Sequence, residues 1–210
     1  MQSEATVFVV DDDEAARVML QFLLGSVGLR SEGFASAEEF LQRYDPDQPG
    51  CLLLDVRMPG MSGLELQNRL ANRGSRLPII VLTGHGDVPM AVRAVRAGAF
   101  DFLEKPTNDQ VLLDRVQQAM ALDRTQRLDQ ATREGIIRLL ESLTAKEREV
   151  LDRVVAGKAN RQIAAELGVS VKAIEARRAN VMGKMEAQSV ADLVRMVIAA
   201  SEPEDDTPAN

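Results

Sequence analysis

Cys51-Leu52-Leu53-Leu54-Asp55-Val56-Arg57-Met58-Pro59-Gly60 decides how the chain folds. A short apolar run, bounded by Gly50 before it and a Pro-Gly turn after it, reads as a β-strand buried on both faces. The run ends on a carboxylate. In open parallel α/β sheets, ligands and reacting groups lie just beyond the carboxyl ends of the strands. Asp55 therefore stands where a reactive acid would be needed.

Toward the N-terminus, Thr6-Val7-Phe8-Val9-Val10 repeats the pattern and closes on Asp11-Asp12-Asp13. A helix is expected over 14–26, with Val18, Leu20, Phe22, Leu23 and Leu24 in broadly helical spacing and a stop near Gly25 and Gly28. Residues 30–34 read as a strand. Ser36, with Glu39 three residues later, makes a capping-box pattern for a helix that runs to about Tyr44, ahead of Pro46 and Pro49. Beyond Asp55, Gly63 opens a helix carrying Leu64, Leu66 and Leu70. Ile79-Ile80-Val81-Leu82-Thr83 is a fourth strand, and 88–97 is a helix of small residues. A short strand over 100–103 closes on Glu104-Lys105-Pro106, and Asn108 or Asp109 caps a helix through Val111, Leu112, Leu113, Val116 and Met120. Five alternating β–α units imply a doubly wound parallel sheet with helices on both faces.

Four strand ends carry polar residues: Asp11 and Asp12, Asp55, Thr83 and Lys105. Each alone has an ordinary reading. An Asp after a strand is a turn former, an acidic run favours a helix start, a Thr ends a strand, and a Lys sits on a surface. Parallel strands bring their carboxyl ends to one edge, so together these residues predict a single site. Its carboxylates would repel one another unless a cation sits among them. Mg²⁺ suits such an open site, taking one or two carboxylates and keeping several waters. A lysine and a hydroxyl would receive an anion.

The chain has 25 Lys and Arg against 32 Asp and Glu, a net charge of −7. The imbalance is local: residues 1–123 hold 11 basic against 18 acidic residues, and residues 144–200 hold 10 against 7. An acidic front and a basic back suggest different partners. A 45% apolar fraction supports real cores. Cys51, the lone cysteine, cannot form an internal disulfide, which suggests a reducing compartment. No apolar run approaches a membrane span and no signal-peptide pattern opens the sequence, so a soluble cytoplasmic protein without membrane contact is expected. His85, the single histidine, reads as a solvated loop residue.

Residues 121–143 contain no Pro and one Gly, Gly135, in a helix-favouring background of Arg, Gln, Glu and Leu. Leu122, Leu128, Ile136, Leu139, Leu140 and Leu143 are too irregularly spaced for a coiled coil. Either the preceding helix extends into this segment or a second helix forms around 130–142. It acts as a solvated spacer or as a relay and dimer contact.

Thr144 and Glu147 form a second capping-box pattern, for a helix burying Leu151, Val154 and Val155 and ending at Gly157. Asn160 is expected to cap a short helix through Ile163 and Leu167. Gly168-Val169-Ser170 turns the chain, and Ser170 caps a helix to about Met185. Two short helices joined by a tight Gly turn are a helix-turn-helix pattern, whose second helix is the natural major-groove reader. Ile174, Val181 and Met185 face the core. Lys172, Glu175, Ala176 and Ala179 share a groove-facing stripe, flanked by Lys158, Arg161, Arg177, Arg178 and Lys184 as phosphate contacts. The pattern alone also allows a plain helical bundle with a basic solvated face. Residues 201–210 read as a disordered acidic tail.

Two resemblances sharpen this reading. Val9-Val10-Asp11-Asp12, Leu54-Asp55-Val56-Arg57-Met58-Pro59-Gly60-Met61-Ser62-Gly63, Leu82-Thr83-Gly84-His85-Gly86-Asp87 and Lys105-Pro106 resemble the receiver domain of two-component response regulators. Leu143-Thr144, Glu147-Arg148-Glu149-Val150-Leu151, the run from Gly157 through Ala164, Leu167-Gly168-Val169-Ser170 and Ile174-Glu175 with Arg178 to Met185 resemble the LuxR-type DNA-binding domain of the FixJ/NarL class. The implied architecture is α/β plus all-α: a CheY-like (βα)5 receiver over 1–123, a helical linker over 124–142, a four-helix LuxR-type domain over 143–200, and the tail over 201–210.

The receiver resemblance implies that Asp55 accepts a phosphoryl group from a sensor histidine kinase. Asp11, Asp12, Asp55 and the Arg57 backbone carbonyl would hold Mg²⁺ or Mn²⁺, with Asp11 acting mainly through water. Thr83 and Lys105 would contact phosphoryl oxygens, and Phe102 would be the switch aromatic. Lys105-Pro106 matches a position where the family often has a cis peptide. The LuxR-type resemblance implies double-stranded promoter DNA, read as two half-sites by a phosphorylation-induced homodimer, with RNA polymerase as a further candidate partner. Residues 189–200 would be a fourth helix contributing to dimerisation. The reader departs from the family at Ala173-Ile174 and Ala176-Arg177, so base specificity does not carry over. The expected protein is a transcription regulator, not an enzyme beyond slow self-dephosphorylation. The rival readings are a phosphorylation-independent regulator that uses the receiver to dimerise, and an aspartate-nucleophile phosphohydrolase. The latter lacks an acid/base carboxylate two residues after Asp55, where Arg57 stands.

Overall fold

The computed structural model describes residues 4–84 and 88–201. The expectations for His85 and for residues 202–210 of the acidic tail lie outside the described residues, while Ser201, expected to open the tail, instead ends the last helix. Two compact units divide between Arg127 and Leu128.

The first unit holds β1 (Thr6–Val10), α1 (Glu14–Ser26), β2 (Arg30–Phe34), α2 (Ala37–Arg43), β3 (Gly50–Asp55), α3 (Gly63–Asn72), β4 (Ile79–Thr83), α4 (Val88–Arg96) and β5 (Asp101–Glu104). It also holds the first part of α5 (Asp109–Glu141). The strands form one parallel sheet in the order β2-β1-β3-β4-β5. The continuous apolar runs make this possible, since β1, β3 and β4 are buried along their whole length. One face packs Leu20 and Leu24 of α1 and Leu112, Val116 and Ala119 of α5 against Val7, Val9, Leu53 and Ile80. The other packs Phe40 of α2, Leu66 and Leu70 of α3 and Ala94 of α4 against Phe8, Val10, Leu52, Leu54 and Val81. There Phe34 and Phe40 meet edge-on at 5.2 Å, the favoured approach of two aromatic rings.

Register lines up the site. Val10 pairs with Leu54, Asp55 with Leu82, and Thr83 with Glu104. The residues that follow or end these strands therefore lie along one edge. The fifth strand begins one residue later than the sequence suggests, because Phe100 donates its N–H to Ile79 O at 2.8 Å and the ladder starts at Asp101.

The second unit contains the rest of α5 with α6 (Ala145–Val155), α7 (Asn160–Leu167), α8 (Val171–Lys184) and α9 (Val190–Ser201). Its core gathers Val150, Leu151, Val154, Ile163, Ile174, Val181, Met185 and Leu193, with Ile136 and Leu140 from α5. The segment expected as a linker is thus one uninterrupted helix with α5, and its C-terminal part supplies core. The Thr144–Glu147 capping box forms as expected. Asn160 is not the cap of α7. That position is Ala159, whose N–H is taken by Gln162 Oε1 at 3.0 Å, while Asn160 Oδ1 accepts from Arg178 instead. Gly168 adopts φ 63°, the left-handed conformation that closes a helix and that glycine enters without a Cβ penalty.

Candidate functional site

Asp55 ends β3 with its side chain buried, and both of its oxygens are held. Oδ1 accepts from Lys105 Nζ at 2.7 Å and Oδ2 from the Arg57 N–H at 2.7 Å. Lys105 Nζ also donates to Asp11 Oδ2 at 2.5 Å. One ammonium thus bridges two buried carboxylates from different strand ends. Burial pushes the Asp55 carboxyl above its ordinary range; the hydrogen bond and charge of Lys105 pull it back, and Asp11 pushes it up again. Burial pulls Lys105 down, but its bonds to Asp11 and Asp55 outweigh this and leave it raised.

Local chemistry fixes each member. Asp11 Oδ1 takes the Asp13 N–H at 3.0 Å, and Asp13 in turn caps α1 through the Ala15 N–H at 2.9 Å. Asp12 is exposed beside them. Lys105 is placed by its own N–H, bonded to Thr83 O at 2.7 Å, and its bond to Pro106 is cis. Thr83 is buried and its hydroxyl faces Met90 Sδ of α4 at 4.0 Å. Phe102, opposite Val81 in the ladder, is half-buried against the core under α2, α3 and α4. Gly63 lets α3 start against β3, since a Cβ there would stand 2.1 Å from Asp55 O.

Two contributors are invisible to the sequence reading. Arg17 Nη1 donates to Asp11 O at 2.7 Å, and Glu38 Oε1 accepts the Met61 N–H at 3.1 Å, steadying the loop after Asp55. Glu38 is 23 residues from Met61, and no short-range pattern announces such a pair.

The donor set fits a hard divalent cation. Asp11 and Asp55 are buried oxygen donors whose charges already call for a positive charge between them; Asp12 directly follows Asp11, and Arg57 lies two residues after Asp55. Among the described residues, no group of three or more His, Cys, Asp or Glu stands ready-made for a metal, so waters would complete such a shell.

In the second unit, Lys172, Glu175, Ala176 and Ala179 lie along α8 and all four are exposed. The flanking cations differ from one another. Lys158 pairs with Glu166 at 2.5 Å, Arg178 donates to Asn160 at 2.8 Å, and Lys184 bonds Glu147 at 2.7 Å and Ser142 O at 3.1 Å. Among the described residues, Arg161, Lys172 and Arg177 make no such bonds, leaving them available for a polyanion.

An α/β unit with an acid–lysine site, followed by a helix-turn-helix unit, defines a two-part regulator. The response regulator receiver domain family matches residues 7–117, and the luxR family of bacterial regulatory proteins matches residues 141–197. The chain belongs to the response regulators that join a receiver domain to a LuxR-type DNA-binding domain. It is 48% identical to Nodulation protein W of Bradyrhizobium diazoefficiens over 194 residues, covering 92% of this chain and 86% of that one. It is 44% identical to the transcriptional regulatory protein FixJ of Azorhizobium caulinodans over 207 residues, covering 98% of each. The solved structure of the response regulator StyR superposes with a TM-score of 0.86 at 44% identity, over 93% of this chain and 99% of that one. Among the described residues no helix is long and apolar enough to cross a membrane.

Proposed function

We propose that Asp55 accepts a phosphoryl group from the phosphohistidine of a sensor histidine kinase, and that this modification controls promoter binding by the second unit. The observation that carries the reading is the Lys105 ammonium set between Asp55 and Asp11. A carboxylate is buried beside a cation that can neutralise an incoming phosphoryl oxygen. In the transfer, an Asp55 oxygen forms the new P–O bond as the donor's P–N bond breaks, and the imidazole nitrogen keeps the electron pair. Lys105 then pairs with one phosphoryl oxygen, and the Thr83 hydroxyl donates to another. Asp11, Asp12, Asp55 and the Arg57 carbonyl would hold Mg²⁺ or Mn²⁺, which supplies charge neutralisation to the phosphoryl oxygens when bound.

The face of α1 beside the site supports a protein donor over a small phosphoester. Val18, Met19 and Phe22 are exposed there, Phe22 at 80%, next to Asp13 and Glu14. Phosphorylation adds roughly −1.5 to −2 charges. Thr83 is drawn toward it, Phe102 turns inward, and the surface of α4, β5 and α5 becomes a dimer face. Two DNA-binding units then occupy two half-sites, which raises affinity without new contacts per unit. RNA polymerase is a further partner of the DNA-bound dimer, and the setting is the bacterial cytoplasm. Self-dephosphorylation is slow, with Arg57 in place of a second acid/base carboxylate.

The test is sedimentation and promoter binding of wild type and Asp55→Asn, with and without Mg²⁺ and beryllofluoride. A shift to dimer and tighter DNA binding in wild type alone is the expected result. Equal dimerisation and DNA binding in all four samples would favour a phosphorylation-independent regulator.

A further inference from the structure

α4 is attached differently at its two ends. Of its described side chains only Ala94 is buried, near the C-terminal end. The Ala94 carbonyl belongs to the last turn, where helix carbonyls lack intrahelical partners. It accepts the Ala99 N–H at 3.0 Å and, from α3, the side-chain amide Nε2 of Gln67 at 2.8 Å. Gln67 is 1% exposed. Its Oε1 is buried with no hydrogen-bond partner among the described residues. A half-satisfied buried amide is costly, because the orphan atom has lost its water without gaining a partner. An apolar side chain of the same length would pack there without that cost. What the amide adds is a cross-link from α3, the helix that follows Asp55, to the far end of α4.

At the near end, the Thr83 hydroxyl faces Met90 Sδ at 4.0 Å. A hydroxyl has one donor hydrogen, and a thioether is a weak acceptor. A phosphoryl oxygen on Asp55 is a charged and much stronger one. When Thr83 turns to the phosphoryl group, its contact with Met90 is lost, while the Gln67 bond to Ala94 is untouched.

We propose that Gln67 is a positioning residue of the switch. It pins the C-terminal turn of α4 to α3, so that phosphorylation releases the Met90 end and α4 pivots about Ala94 rather than shifting as a whole. The proposal rests on the phosphoryl-switch reading above. It assigns a role to a residue that touches neither the phosphoryl group nor the cation.

Hydrogen exchange of the full chain tests it, read on peptides covering 88–92 and 94–99, with and without Mg²⁺ and beryllofluoride. In wild type the mimic is expected to change exchange over 88–92 and to leave 94–99 within about 2-fold, the scale of a hydrogen bond that stays intact. Gln67→Met keeps the length and the apolar packing but removes the bond. It is expected to speed exchange of 94–99 by about 3- to 10-fold at rest, the effect of deleting one buried hydrogen bond, and to extend the response to the mimic along the whole helix. Equal responses at both ends in wild type overturn the proposal, as does a Gln67→Met protein whose 94–99 segment stays silent. Should Gln67→Met not fold, the polarity of the wild-type response decides alone. If wild type shows no response, or Asp55→Asn responds identically, the switch reading has failed and takes the pivot with it.

Discussion

Lys105 Nζ lies 2.7 Å from Asp55 Oδ1, joining two residues 50 apart in sequence. The same nitrogen reaches Asp11, so the site's two buried carboxylates share one counter-charge. Removing it leaves two acids facing each other in a low-dielectric corner. Their remaining remedy is to bind a proton or a metal ion.

Lys105→Met should therefore destabilise the receiver unit in a pH-dependent way. The folded Asp55 carboxyl is already raised, chiefly by burial, and loses the group that lowers it. An acid whose folded value exceeds its unfolded one penalises folding as pH rises through that range. Thermal denaturation in chelator should show a deficit of about 1–3 kcal/mol at about pH 8 and a smaller one at about pH 5. Added Mg²⁺ should recover more stability in the variant than in wild type, by binding the folded state. Equal deficits at both pH values would contradict this role for Lys105.

Gly63 is the steric counterpart of that charge arrangement. A Cβ at this position would meet Asp55 O at 2.1 Å and Leu54 Cγ at 3.1 Å, and the first of these is backbone. Gly63→Ala must push α3 away from β3, at about 1–3 kcal/mol. At Gly25 in α1 an added Cβ would meet nothing within 4 Å, so Gly25→Ala should stabilise by about 0.5 kcal/mol through the unfolded chain. Urea midpoints of the two variants should move in opposite directions.

Most of the site is legible in the sequence because a parallel sheet converts strand ends into neighbours. Asp11, Asp55, Thr83 and Lys105 can be grouped from sequence since each follows or ends an apolar run. Pairings between loops and distant helices cannot. Asp123 accepts the Gly50 N–H at 2.9 Å, and Arg127 binds Asp123 and the carbonyls of Pro46, Asp47 and Gln48. By sequence Arg127 belongs to the linker, yet it fastens α5 to the loop before β3. No local pattern encodes a pairing across that distance. The cap of α7 differs from expectation for a related reason: Asn160 is a good cap by type, but Arg178, 18 residues on, claims its oxygen. The cations of the second unit likewise look alike in sequence, and only partner geometry separates Lys184 from Arg161.

Glu147 gives the second unit an acid-sensitive fastening. The hydrogen bond from Lys184, then the Thr144 N–H, holds its carboxyl down to about 2 from the usual 4.5. A depressed folded value contributes stability above the unfolded one, and that contribution is lost as pH falls from about 4.5 toward about 2. Protection from hydrogen exchange over 145–155, taken relative to the intrinsic rate at each pH, should fall across this window in wild type. In Glu147→Gln it should be lower at neutral pH and nearly flat across the window. A wild-type profile that is flat there would remove the role given to Lys184.

The same pair predicts which cations meet DNA. Deleting one phosphate-binding cation lowers the slope of log affinity against log salt by about 1. Arg161 and Lys172 are exposed and, among the described residues, unbonded, so Arg161→Ala and Lys172→Ala should each weaken promoter binding and reduce that slope by about 1. The weakening should be similar across DNA sequences, because phosphates carry no base identity. Lys184 is committed to Glu147 and Ser142 O, so Lys184→Ala should reduce stability while leaving the slope near the wild-type value. On α8 the stripe offers Glu175 beside two small residues, Ala176 and Ala179, with few groups for reading base edges. Much of the discrimination should then come from DNA deformability, so that substituting flexible steps between the half-sites costs affinity at positions the protein does not touch. Titrations on promoter variants at two salt concentrations separate the two effects. A slope unchanged by Arg161→Ala and Lys172→Ala would move the DNA-facing surface away from α7 and α8.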